Sequence, residues 1–297
     1  WSSDVCSSDL KLTVSSVVKV VESILLILYI NVRSFFFGIK DIWDQKMNCW
    51  EKTKYWCDFL RVKPHITKDS HPLKTGKVMY LANHRSWADF FVDGSLCGGA
   101  SYISRLMVCL GVPGMAFTAW INDYIWLFRR KKGISRAWFT EFFRENWEKR
   151  NRDGVIVYPE GHRYTGKGSL PLKTGVLEVA YNLKVPCQCV LTMNKESILN
   201  EKELSFNYGV PIYTAVSEVF DPSECKSKEE WFEFVRAKWD QTLQSLMECK
   251  DFKECGMPLP GMTADMTNSY TPNNRKVAAF LAVVFAIVSL ILAIRHF

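Results

Sequence analysis

A chain of 297 residues is long enough to bury a full core, as one large domain or two small ones. Hydrophobic residues make up 48% and aromatics 14%, with 11 Trp and 19 Phe, which is rich for a soluble domain and ordinary for one that meets lipid. A formal charge of +7 favours an anionic partner, but the basic residues are scattered and an apolar tail follows them, which disfavours nucleic acid.

The first ten residues, WSSDVCSSDL, have no periodicity, no apolar run and no initiator Met. Residues 1–10 read as an artefactual leader outside the fold, with the natural N-terminus expected to be missing. Leu12 to Ile39 is apolar but interrupted by Lys19, Glu22 and Arg33. Its unbroken part, Ser23 to Val32, is too short to span alone, so it is either a tilted span with snorkelling ends or a helix lying in the interface. Asp41 to Leu60 sets Trp43, Met47, Trp50 and Cys57 at helical spacing, with Lys46, Lys52 and Lys54 elsewhere. Such a helix suits a membrane surface, and packing on the domain is the alternative.

Strand and helix then alternate. Lys77 to Leu81 predicts a strand entering a loop at Asn83 and His84, and Trp138 to Trp147 predicts a helix. Val155 to Tyr158 predicts a strand, Val176 to Leu183 a short helix, Cys187 to Met193 a strand, and Tyr208 to Phe220 an extended stretch. Ser227 and Glu230 form a capping box opening a helix to about Met247. This pattern predicts an α/β fold, a mixed sheet with flanking helices. Lys250 to Asn274 reads as a linker. Val277 to Ile294 is an 18-residue run whose only polar member is Ser289. At roughly 27 Å it is long enough to cross a thin bilayer, and Arg275 and Lys276 before it place the main domain on the cytosolic side. The expected organisation is membrane-associated helices over 11–61, a catalytic domain over 62–250, a linker over 251–276 and a transmembrane helix over 277–294.

Two loops carry the chemistry. In Asn83-His84-Arg85-Ser86-Trp87-Ala88-Asp89, a His ending a strand and an Asp in the first turns of a helix can reach each other. The carboxylate would fix the imidazole tautomer and stabilise imidazolium, leaving the other ring nitrogen as a base. In Pro159-Glu160-Gly161-His162-Arg163, Gly161 permits a sharp turn and Arg163 offers a fork for phosphate or carboxylate. Glu160 would hold Arg163 or bind a substrate hydroxyl. Arg129, Arg130, Lys131 and Lys132 form a basic cluster suited to phosphate.

In order, Asn83-His84 with Asp89, Leu127-Phe128-Arg129, Pro159 to Arg163, and Val185-Pro186 resemble the motifs of glycerolipid acyltransferases of the 1-acylglycerol-3-phosphate acyltransferase type. The resemblance covers roughly Lys77 to Val190. It implies His84 as the base taking the acceptor hydroxyl's proton and Asp89 as its orienting partner. It implies Arg129, Glu160, Gly161 and Arg163 as the binders of the acceptor's phosphate and glycerol, and Pro186 as shaping the floor of the site or the acyl-CoA path. No cofactor or metal is implied, and acyl-CoA is a co-substrate that meets a lysophospholipid sliding in from the bilayer. The third motif usually reads Glu-Gly-Thr-Arg, and His162 replaces the Thr here. Phe128 stands where the second motif usually has an acidic or small residue, leaving Arg130 to compete with Arg129. The expected location is a membrane, with the endoplasmic reticulum foremost and the catalytic domain facing the cytosol. No protein partner is deducible.

Other readings are weaker. Gly161 to Gly168 is one residue from a P-loop, but Gly168 stands where Ser or Thr must hold magnesium. No G-x-S-x-G elbow exists. Ten cysteines without a C-x-x-C pair argue for reduced thiols rather than zinc or redox sites, with Cys97 or Cys109 left open as nucleophiles. Lysophosphatidylinositol or lysocardiolipin remain alternative acceptors, and a non-catalytic tail-anchored lipid-binding protein is the reading from another class.

Overall fold

The computed structural model describes residues 14–106, 111–123, 125–128, 134–150, 154–201, 203, 205–262 and 269–295. Twelve strands are described: β1 (Met47–Asn48), β2 (Lys63–Thr67), β3 (Val78–Ala82), β4 (Ser101–Arg105), β5 (Ile125–Phe128), β6 (Gly154–Val157), β7 (Cys187–Met193), β8 (Leu199–Asn200), β9 (Ser205–Phe206), β10 (Pro211–Val216), β11 (Phe252–Glu254) and β12 (Ser269–Tyr270). The helices are α1 (Val14–Asp44), α2 (Cys49–Phe59), α3 (Asp89–Leu96), α4 (Pro113–Asn122), α5 (Arg136–Arg150), α6 (Thr174–Leu183), α7 (Lys228–Glu248) and α8 (Asn274–Arg295).

Eight strands form one sheet in the order β11-β2-β10-β7-β3-β6-β4-β5. Strands β7, β3, β6, β4 and β5 are parallel, whereas β10 runs antiparallel to β7. The expected mixed α/β sheet forms because the central strands are apolar on both faces and must be covered on both. Val78, Tyr80 and Ala82 of β3 join a core with Val92 and Leu96 of α3 and Trp56 of α2. Met79 and Leu81 point the other way, into a core with Trp231 and Trp239 of α7 and Phe143 of α5.

The N-terminal helices differ from the expectation in detail. Gln45, at φ 51°, ends α1, and the Asn48 side chain accepts from the Glu51 amide to start α2. The helix expected over 41–60 is therefore two helices, with Trp43 exposed at the end of α1 and Trp56 and Cys57 of α2 buried in the core. Arg33, one of the interruptions in the N-terminal apolar run, lies over the rings of Phe37 and Tyr55 at 4.7 and 5.2 Å. Val17–Asp44 and Asn274–Leu292 are long and apolar enough to cross a membrane by length and composition.

The segment expected as a linker is partly structured. Its Phe252–Glu254 stretch pairs antiparallel with β2 and becomes the edge of the main sheet, while β12 pairs with β1. Further on, the Asn273 amide of the side chain donates to Asp123, and Lys276 pairs with Asp123, so the entry to α8 is tied to the end of α4. The cap of α7 is also a variant of the expected box. Ser227 accepts the Glu230 amide at 3.1 Å, but the Glu230 carboxylate takes the Lys226 amide at 2.7 Å rather than that of Ser227.

Candidate active site

The site lies beyond the C-terminal ends of β3, β6 and β7, where the chain leaves β3 toward β4 on one side and leaves β6 toward β7 on the other, the usual place for a site in such a sheet. Asn83 extends the β3–β7 contact with its side chain, donating to the Thr192 carbonyl at 3.0 Å and accepting the Thr192 amide at 2.8 Å. The chain thus leaves the sheet at a fixed point, and His84 follows immediately.

Asp89 opens α3 and folds back on the loop before it. Its carboxylate accepts the Arg85 amide at 2.7 Å and the Ser86 amide at 3.2 Å. His84 Nδ1 lies 2.6 Å from Asp89 Oδ2, with the imidazole 24% exposed and the Asp89 side chain 1% exposed. Burial, the largest influence on Asp89, would raise its carboxyl. The Lys195 charge, the His84 hydrogen bond and the Arg85 amide together outweigh it and hold the group below its ordinary value. An ionised carboxylate only accepts, so Nδ1 carries the proton and Nε2 is left as the acceptor.

Two groups absent from the sequence reading complete the arrangement. Lys195 is fully buried; its Nζ lies 3.3 Å from Asp89 Oδ1 and donates to Asp93 at 2.9 and 2.7 Å and to the Asn83 carbonyl at 2.9 Å. Tyr158 stacks on His84 with centroids 4.5 Å apart and donates its hydroxyl to Asp93 at 3.0 Å. Burial pushes the Asp93 carboxyl up to about 6 despite Lys195, with the Asp89 charge adding to the rise. The available sequence signal was Asp89 and Asp93 at i,i+4 in an otherwise apolar helix, a pair that demands a cation.

The second loop approaches because β6 is the neighbour of β3. Gly161 has φ 71°, which turns the chain. Glu160 is 2% exposed, and its two oxygens accept the His84 amide at 3.0 Å and the Leu170 amide at 3.1 Å. It therefore splices the two loops together rather than holding Arg163. Arg163 pairs with Glu201 and lies 5.7 Å over the Trp87 ring. Arg85 makes a bidentate pair with Glu196 at 2.6 Å and also donates to the Thr165 carbonyl, binding the His84 loop to the segment after β7.

Pro186 is placed elsewhere. Its carbonyl accepts the Met79 amide at 2.9 Å, and β7 runs parallel to β3 from there, with Ala82 opposite Val190. At about 3.3 Å per residue, Pro186 is a strand length, on the order of 20 Å, from His84, so it does not form the floor beneath the imidazole. Arg129 and Arg130 lie outside the described residues. The strand before them, β5, ends at the same edge of the sheet as β3, with β6 and β4 between. Cys97 is buried, and burial raises its thiol well above the ordinary value, which removes it as a nucleophile; Cys109 lies outside the described residues.

Residues 63–193 match the Acyltransferase family profile. The 1-acyl-sn-glycerol-3-phosphate acyltransferase of Escherichia coli K12 is 26% identical over 141 residues, covering 47% of this chain and 57% of that protein. The Saccharomyces cerevisiae protein of the same name is 26% identical over 170 residues, covering 57% of this chain and 55% of its own length. The chain thus spans little more than half the length of these curated relatives. Among solved structures, the 1-acyl-sn-glycerophosphate acyltransferase PlsC of Thermotoga maritima superposes with a TM-score of 0.58 at 16% identity, covering 80% of this chain and 99% of that one. That likeness shows a shared fold. With the paired His84 and Asp89 inside the matched stretch, residues 63–193 form an Acyltransferase-family segment, and over it the chain is similar to 1-acyl-sn-glycerol-3-phosphate acyltransferases.

Proposed function

We propose that the protein transfers a fatty acyl group from acyl-CoA to the free hydroxyl of a lysophospholipid, with 1-acylglycerol-3-phosphate as the leading acceptor. The observation that carries this reading is the 2.6 Å contact between His84 Nδ1 and a buried Asp89, which leaves Nε2 unpaired among the described residues. In the proposed reaction Nε2 takes the proton from the acceptor hydroxyl as its oxygen bonds to the thioester carbonyl carbon. The tetrahedral adduct then expels the CoA thiolate, which takes the proton from imidazolium. Asp89 stabilises the cation between these steps, and no acyl-enzyme is needed. The partly exposed Arg163 is the proposed anchor for the acceptor phosphate, with Arg129 and Arg130 proposed to assist. The apolar α1 and α8 would hold the site at headgroup height on the cytosolic face of an endoplasmic-reticulum membrane.

The relatives that share this segment bear the name of the leading acceptor's enzyme. The test is purified protein in mixed micelles with one acyl-CoA, or the same acyl chain on a carrier protein, and a panel of lysophospholipids, read by product mass. Phosphatidic acid as the dominant product is expected. A lysophosphatidylinositol or lysocardiolipin product would move the acceptor to a larger headgroup, and no acyl product with any acceptor would remove the reaction itself.

A further inference from the structure

Asp89 and Asp93 sit four residues apart on α3, so they share one face of the helix. Both are completely buried. Two like charges in that position repel and lose hydration, and only a cation inserted between them allows both to remain ionised. Among the described residues, the only ammonium or guanidinium group paired with both is that of Lys195, which arrives from the short turn after β7, where Asn194 takes a left-handed conformation at φ 70°. Nζ also holds the Asn83 carbonyl at 2.9 Å, the residue directly before His84. One side chain therefore grips both ends of the His84–Asp89 loop, the carbonyl at its start and the carboxylate at its end.

We propose that Lys195 is a positioning residue for the His84–Asp89 pair: its buried ammonium fixes the Asp89 carboxylate as an anion aimed at Nδ1 and anchors the backbone from which His84 projects. The groups facing this ammonium are Asp89 and Asp93 from α3 and Tyr158 from the loop after β6. His84 lies beyond Asp89, while Cys97, directly after α3, and Cys57 of α2 lie near Asp93. Among the influences that lower the Asp89 carboxyl, the Lys195 charge is the largest, so its removal shifts Asp89 toward the protonated form that burial favours. A protonated carboxyl can neither stabilise imidazolium nor demand a proton on Nδ1. Asp93 then serves as the second counter-ion, which allows the ammonium to stay buried without an unmatched charge.

This role, whose kinetic part rests on acyl transfer as the reaction, is tested with two variants. Lys195→Met alone leaves two unmatched carboxylates and is expected to fold poorly. Lys195→Met combined with Asp93→Asn removes one cation and one anion together, so it is expected to recover the thermal stability of the fold. Positioning predicts that the double variant still loses at least about 100-fold in kcat with acceptor KM within about threefold. In wild type the low-field NMR resonance of the His84 Nδ1 proton, assigned by its disappearance in His84→Ala, should be present at neutral pH, and in the double variant it should be lost. Recovery of kcat to within about threefold of wild type, or persistence of the resonance, overturns the assignment by reducing Lys195 to a neutraliser of Asp93. Failure of the double variant to fold overturns it as well, by making Lys195 a residue of folding. If wild type transfers no acyl group yet the resonance behaves as expected, the proposed reaction falls and the positioning role stands.

Discussion

Glu201 pairs with Arg163, and the same carboxylate oxygen accepts the Trp87 amide at 2.9 Å. The guanidinium proposed to bind the acceptor phosphate is therefore matched by a protein carboxylate before any acceptor arrives. Both side chains are about one-third exposed, at 38% and 33%, so the pair is worth only about 0–1 kcal/mol and a phosphate can displace it. Glu201→Gln is expected to lower the acceptor KM by up to about fivefold at unchanged kcat. Arg163→Ala is expected to raise that KM with a smaller change in kcat. Steady-state kinetics with varied acceptor measures both, and an unchanged KM and rate in Arg163→Ala would remove its phosphate role.

His84→Ala is expected to lower acyl transfer by about 10²–10⁴-fold while leaving folding and membrane binding intact, because the imidazole is partly exposed and its described ring contact is with Tyr158. Asp89→Asn should do comparable damage to the rate, and its cost extends to stability because the carboxylate also accepts two loop amides and faces Lys195. Radiolabelled acyl transfer beside circular dichroism separates the two effects. Rapid turnover by the His84 variant would end the general-base assignment.

Asp93 gives a pH dependence whose sign is set by its folded value of about 6, raised above the ordinary carboxylate value by burial first and the Asp89 charge second. The folded protein binds this proton more tightly than the unfolded chain. The stability it contributes is therefore complete below the unfolded value of about 4 and is lost as pH rises through about 6. Asp89, held below its ordinary value, loses its contribution only at lower pH and does not mask this window. Thermal unfolding between about pH 4 and 7 should show wild type losing on the order of 2–3 kcal/mol relative to Asp93→Asn. A constant difference across that range would contradict a raised Asp93.

Much of the fold was legible because its central strands are written as apolar runs. Val78 to Ala82, Gly154 to Val157 and Cys187 to Met193 are buried on both faces, and such strands leave no alternative partner but a covered sheet. The approach of His84 to Asp89 followed from the spacing within one loop. Lys195 did not show, since a lysine after a strand resembles any solvated loop residue and only three-dimensional proximity reveals the two carboxylates it faces. The tie that Glu160 makes did not show for a related reason: a carboxylate beside an arginine suggests a ligand, and its bonds to the His84 and Leu170 amides emerge only in three dimensions. For Pro186 the order of motifs along the chain was informative, but the direction of β7 decided which end of the sheet it occupies. The β11 edge is three residues long, too short for a period-two pattern to register.

Gly114 and Gly38 mark where α1 and α4 approach most closely. A methyl group on Gly114 would fall 1.8 Å from the Asn31 carbonyl oxygen and 2.7 Å from its carbon, whereas one on Gly38 would meet the Phe117 ring at 2.8 Å. A ring can swing aside, but the backbone of a 31-residue helix cannot. The Gly114 amide also donates to the Asn31 side chain at 3.1 Å, a bond that separation of the helices would break. Gly114→Ala is expected to cost about 1–3 kcal/mol through overpacking, and Gly38→Ala less. Thermal unfolding in detergent and the rate of proteolytic cleavage within α1 measure the two variants side by side. Equal tolerance of both substitutions would show that α1 can shift on the domain, and the close seating of its backbone against α4 would then be no constraint on where α1 sits relative to the active site.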